Sequence, residues 1–91
     1  MQRLHARVTG RVQGVGFREF VRHEAAARGL TGYVRNTEDG HSVEVIAEGE
    51  EPALHALLEA MQHGPRFSRV DNIDCSLTEA GRGFARFSVE F

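Results

Sequence analysis

Between Leu4 and Ala25 the apolar pattern changes period once, and glycines at positions 10, 14 and 16 stand at the change. Leu4, Ala6 and Val8 alternate with His5, Arg7 and Thr9, and Val12 continues the phase, which is the pattern of a half-buried strand. Phe17, Phe20, Val21 and Ala25 then recur at helical spacing as far as Arg28, and Gly29 is placed to end that helix as a left-handed cap. A strand feeding a helix through a glycine turn restricts the chain to architectures in which helices lie back on a sheet. The turn itself, Gly10-Arg11-Val12-Gln13-Gly14-Val15-Gly16-Phe17-Arg18, has a chemical reading as well. Glycines let several backbone N–H groups converge on one point. A helix N-terminus adds its positive dipole end there, and an arginine adds a planar charged fork. Together they make a seat for a phosphate-sized anion. Glycines alone would fit a tight strand-to-helix turn with an exposed arginine equally well.

The remaining segments alternate in the same way. Tyr33 to Arg35 reads as a second strand entered through Gly32, and Asn36-Thr37-Glu38-Asp39-Gly40 is turn chemistry, with Asp-Gly a strong hairpin signal. Val43, Val45 and Ala47 form a third strand closed by Gly49. Pro52 suits the first turn of a second helix, whose stripe is Leu54, Leu57, Leu58 and Met61, and Gly64-Pro65 stops it. A fourth strand passes through Ile73, Cys75 and Leu77. Val70 is out of phase with them, so a bulge or bend is expected near Asp71. Glu79 to Gly83 reads as a loop, and Ala85, Phe87, Val89 and Phe91 as the last strand. Two strand–helix–strand halves of this order predict an α+β fold: a ferredoxin-like split βαβ sandwich with two helices on one face of a mostly antiparallel sheet. Residues 1–91 are expected to form a single domain.

Composition removes several function classes. The formal charge is -2, so there is no basic excess to attract nucleic acid. All 11 basic residues are arginine. A chain without lysine has neither a Walker-type phosphate loop nor a lysine Schiff base. The single cysteine, Cys75, allows no intrachain disulfide, and its place among alternating core positions predicts a buried, inert thiol. The N-terminus carries no apolar signal segment and no run approaches a membrane span. A cytoplasmic location, no membrane partner and a monomer are the expectations.

Few side chains are placed to do chemistry. Asn36 ends the second strand, and its amide can hold a water in one orientation but cannot act as a base. An Asx-type turn residue opening the hairpin is the simpler reading of Asn36 taken alone. His5, His23, His41, His55 and His63 lack metal-ligand spacing and read as surface residues. Ser42 and Ser68 have no histidine placed to activate them.

The chain resembles the acylphosphatases. Gly10 to Arg18 resembles their signature G-x-V-Q-G-V-x-F-R, and Gly29 to Gly40 resembles a second signature, G-x-x-G-x-V-x-N-x-x-D-G, through Gly29, Gly32, Val34, Asn36, Asp39 and Gly40. Val43-Glu44-Val45, Gly49, Gly64-Pro65 and the segment from Gly83-Phe84 to Val89 extend the resemblance over essentially the whole chain. It implies a ferredoxin-like fold and metal-independent hydrolysis of the carboxyl–phosphate bond of small acyl phosphates, with no cofactor. It also implies catalytic roles for Arg18, which binds phosphate, and Asn36, which orients water. The phosphate-binding loop maps onto Gln13, Gly14, Val15, Gly16, Phe17 and Arg18. One departure stands out: two residues, His41 and Ser42, separate Asp39-Gly40 from Val43-Glu44 where the family has one. Asn36 precedes that insertion, so its position should survive. A domain that binds a phosphorylated effector without turnover is the rival reading. A similar domain also opens the large carbamoyl-phosphate-dependent proteins of hydrogenase maturation; a chain ending at Phe91 reads instead as a free-standing enzyme.

Overall fold

The period change in the sequence becomes a strand running straight into a helix. In the structure, a computed structural model that describes residues 1–79 and 83–91, β1 (Gln2–Arg11) leads through the glycine turn into α1 (Phe17–Ala27). β2 (Thr31–Asn36), β3 (Ser42–Gly49), α2 (Glu51–His63), β4 (Arg69–Glu79) and β5 (Phe87–Glu90) follow. The five strands form one sheet in the order β4-β1-β3-β2-β5. β1–β3, β1–β4 and β2–β3 pair antiparallel, whereas β2 and β5 pair parallel. This is the expected ferredoxin-like α+β sandwich. β1 and β2 are each antiparallel to β3, so they run in the same direction, and β5 runs with β2. The C-terminal ends of β1, β2 and β5 therefore meet at one end of the sheet. The glycine turn, the hairpin after Asn36 and the segment at Glu90 all leave the sheet there.

The helices cover one face. Phe17, Val21 and Ala25 of α1 and Leu54, Leu57 and Met61 of α2 are buried against Ala6, Val8, Val34, Val43, Val45 and Ala47, with Leu58 half-buried beside them. Each fully buried large apolar side chain contributes about 1.5–3 kcal/mol. The open face instead carries pairs such as Arg35–Glu44 at 2.7 Å and His5–Glu44 at 2.9 Å, and exposed pairs of this kind contribute about 0–1 kcal/mol. Burial under the helices therefore dominates the stability. The deepest charge on the open face is Glu48. Burial acts to raise its carboxyl, but the Gly83 N–H and Arg3 outweigh that and hold it below its ordinary value.

Helix ends follow the sequence signals. At the end of α1 the Leu30 N–H donates to the Ala25 carbonyl at 3.0 Å and the Gly29 N–H to the Ala26 carbonyl at 3.1 Å, while Leu30 itself is buried. This is the Schellman arrangement expected at Gly29. Pro52 stands in the first turn of α2, and the Gly64 N–H closes its last turn on the Ala60 carbonyl at 3.0 Å.

The fourth strand bends where the phase of Val70 requires. Thr9 opposes Asn72 but Gly10 opposes Val70, so Asp71 is the extra residue of a bulge. Cys75 departs from expectation, because it is exposed. It opposes Ala6 and so shares the core face, but β4 is an edge strand that α2 covers incompletely. A groove bounded by Leu54, Leu58, Cys75 and Leu77 stays open there. Alternation told which face Cys75 occupies and carried no information about how far the helix layer reaches. The last strand is also shorter than its pattern, because β5 pairs with β2 only from Gly32 to Arg35. The expected Glu79–Gly83 loop lies, at residues 80–82, outside the described residues.

Candidate active site

The glycine turn forms a concave backbone between two anchors. Val12 and Phe17, on either side of it, are both buried in the core, and Val15 packs partly against the same core. Between them Gly14 and Gly16 adopt φ of 74° and 80°. No atom crowds the place where either Cβ would stand, so conformation alone demands glycine. An L side chain in this region costs about 1–2 kcal/mol. Gly16 is the N-cap of α1, its carbonyl accepts the Phe20 N–H at 3.1 Å, and no side chain caps the helix. The N–H groups of Phe17, Arg18 and Glu19 have no carbonyl one turn earlier to bond, and they project with the positive end of the helix dipole. A cleft of about 210 Å³ lies beside them, lined by residues of the turn together with Arg18, Val89 and Phe91.

Arg18 projects from the first turn of α1 toward the end of β5. Its Nη1 donates to the Glu90 carbonyl at 2.9 Å, and its guanidinium lies 4.7 Å from the centroid of the Phe91 ring. Carbonyl and ring hold the guanidinium without neutralising it, and such a cation–π contact contributes about 0.5–1 kcal/mol at an exposed site. The neighbouring Glu19 pairs with Arg22. That hydrogen bond holds the Glu19 carboxyl below its ordinary value, leaving the charge of Arg18 available. The sequence did not reveal the Glu90 carbonyl as a partner, since a backbone acceptor has no residue signature.

Asn36 is the last residue of β2, where it opposes Val43. It is in phase with the buried Val34, which puts its side chain on the helix side of the sheet. Its Oδ1 is buried and accepts no hydrogen bond from any of the described residues. Leaving such an acceptor unpaired costs about 1–3 kcal/mol. The hairpin beyond it is closely tied. The Thr37 N–H donates to the Ser42 carbonyl at 3.0 Å. Asp39 accepts from the Thr37 hydroxyl at 2.6 Å, the His41 N–H at 2.8 Å and Arg7 at 2.7 Å. These donors, the Thr37 hydroxyl foremost, pull the Asp39 carboxyl down to about 2. The longer His41-Ser42 connection leaves Asn36 in register, because β3 starts at Ser42 and the pair Asn36–Val43 is kept.

Arg18 and Asn36 line separate concavities at this end of the sheet. Asn36 borders one of about 340 Å³ that it shares with Arg7, Arg35, Thr37, Glu38, Asp39 and Glu44. Gln13 reaches from the glycine turn to the hairpin: its Nε2 donates to the carbonyls of Thr37 at 3.0 Å and Ser42 at 2.8 Å. Its side chain thus faces the hairpin, and only its backbone N–H remains to face the cradle. The five histidines are all exposed.

Sequence and fold comparisons point the same way. The family model described as Acylphosphatase matches residues 4–89. An acylphosphatase of Salinibacter ruber is 49% identical over 97% of this chain and 92% of its own length. One of Pseudomonas paraeruginosa is 55% identical over 94% of this chain and 92% of its own. The crystal structure of acylphosphatase from Bacillus subtilis superposes with a TM-score of 0.95 at 45% identity, covering 100% of both chains.

Proposed function

The chain belongs to the acylphosphatase family and hydrolyses the carboxyl–phosphate bond of acyl phosphates, and on that premise we propose how its residues divide the work. The loop from Gln13 to Arg18 binds the phosphoryl group through backbone N–H groups and the Arg18 guanidinium. Asn36 holds the attacking water. What supports this most directly is the unpaired, buried Oδ1 of Asn36 at the sheet end where the cradle opens. A residue with only a turn-forming role would gain nothing from that cost.

An acyl phosphate is a mixed anhydride, and its leaving carboxylate is already a stable anion at neutral pH. Expulsion of that group needs no general acid. Phosphoryl transfer is largely dissociative, so catalysis consists of positioning and charge stabilisation. Arg18 and the start of α1 stabilise the negative charge on the equatorial oxygens. Asn36 Oδ1 accepts a hydrogen bond from the water and turns a lone pair toward phosphorus. Water's oxygen bonds phosphorus as the carboxyl oxygen departs with its electron pair, and the water proton passes to a phosphoryl oxygen of the substrate.

The same reading takes the substrate to be a small acyl phosphate and the protein to act as one monomeric domain in the cytoplasm. The net charge of -2 gives nucleic acid no electrostatic foothold. Among the described residues no helix is long and apolar enough to cross a membrane. The solitary Cys75 fits a reducing compartment. Phosphate release from acetyl phosphate, followed with and without a chelator, tests the assignment. Release at equal rates supports it, and no release above the uncatalysed rate would leave a phosphate-binding module.

A further inference from the structure

We propose that Gln13 is a positioning residue for this hydrolysis, its side-chain amide clipping the neck of the Asn36 hairpin to the phosphate cradle. The inference rests on the reading that Asn36 orients the attacking water. Gln13 stands between the buried Val12 and Gly14, the first left-handed residue of the cradle. Its Nε2 has two protons, and it directs them at carbonyls on the two sides of the hairpin: Thr37 at 3.0 Å and Ser42 at 2.8 Å. Both neighbours only accept, which fixes the nitrogen on the hairpin side. Thr37 directly follows Asn36.

The other bonds of this region do different work. Thr37 ties the hairpin to itself through the Ser42 carbonyl. The Gly10 N–H to the His41 carbonyl at 2.9 Å and the Thr9–Ser42 hydroxyl pair at 3.0 Å tie it to β1. β3 separates β1 from β2 in the sheet, so strand pairing connects the cradle to Asn36 only indirectly. Gln13 makes the connection directly. Reaction geometry tolerates little looseness, because a displacement of about 1 Å costs up to ~10²-fold in rate. An amide that fixes Thr37 fixes where the amide of Asn36 stands over the bound phosphoryl group.

The test is steady-state hydrolysis of acetyl phosphate, with inhibition by inorganic phosphate, for the wild type, Gln13→Met, Gln13→Glu, Gln13→Lys, Asn36→Ala and the double variant Gln13→Met/Asn36→Ala. Gln13→Met should lower kcat ~10–100-fold and leave the phosphate inhibition constant within about 3-fold, because it displaces the water and leaves the cradle in place. Gln13→Glu sets a carboxylate against two carbonyls and should lose more. Gln13→Lys restores a donor of similar reach and should recover most of kcat; a merely structural brace would instead move kcat and the phosphate inhibition constant together in Gln13→Met. The double variant should be no slower than Asn36→Ala alone. A wild-type kcat for Gln13→Met, or a double variant whose loss is the product of the two single losses, overturns the proposal. If Gln13→Met does not fold, equal kcat for Gln13→Lys and Gln13→Glu overturns it instead. A wild-type rate for Asn36→Ala is the separate signal that the water-orienting reading, and the Gln13 role with it, has failed.

Discussion

The cradle and the Asn36 hairpin share one end of the sheet and are built by opposite means. From Gly14 to Phe17 the chain takes its shape from the backbone, through two left-handed glycines and two flanking side chains sunk in the core. From Asn36 to Ser42 the shape comes from side-chain hydrogen bonds, with Gln13, Thr37, Asp39 and Arg7 holding the loop. A backbone cradle presents several donors whose positions depend on no rotamer, which suits an anion with several equivalent oxygens. A single amide that must aim one water needs its place set from several sides. In the proposed mechanism the first device binds and the second aims, so damage to each should have a different kinetic signature.

Arg18→Ala should do the most harm, because the proposed mechanism gives the guanidinium both binding and charge stabilisation. Loss of one preorganised donor typically costs ~10²–10³ in rate, and loss of the positive charge raises KM as well. Measuring kcat and KM together on acetyl phosphate checks this. Asn36→Ala should lower kcat by ~10²–10³ at nearly constant KM. Because the substitution also removes an unsatisfied buried acceptor, the thermal midpoint should stay level or rise, which calorimetry on the same preparation will show.

Gly16→Val comes next. It should destabilise the fold by about 1–2 kcal/mol through φ alone, whereas Gly16→Asn should lose less. Equal midpoints for the two variants in urea would show that the cradle does not depend on left-handed backbone. Acid should have the smallest effect on the site, where it acts on the hairpin through Asp39. The Asp39 carboxyl lies at about 2 in the fold, below its ordinary 3.8, so its contribution is fully present above about pH 4 and disappears as pH falls through about 2. Protection of the His41 amide, measured as exchange relative to its intrinsic rate, should fall over that range in the wild type and be low throughout in Asp39→Ala.

The contrast between the two devices also explains what could be read from residues alone. The cradle was legible because left-handed backbone demands glycine, and glycine is visible as a letter. Strand phases gave the bulge at Asp71 and the position of Asn36, since a period of two fixes which face each residue takes. The grip of Gln13 on two carbonyls was not legible, nor was the grip of the Glu90 carbonyl on Arg18. Backbone acceptors are common to every residue, and only the sheet order brings these segments together. Cys75 misled for a related reason: alternation assigns a face, and the extent of the helix above that face is a property of the whole fold.

The division of labour predicts that phosphate binding survives without the aiming amide. Calorimetric titration of inorganic phosphate into Asn36→Ala, beside the wild type and Arg18→Ala, tests this most directly. Asn36→Ala should bind phosphate within about 3-fold of the wild-type Kd while Arg18→Ala binds at least ~10-fold more weakly. Equal weakening in the two variants would contradict the account, because binding and aiming would then be a single property of the site.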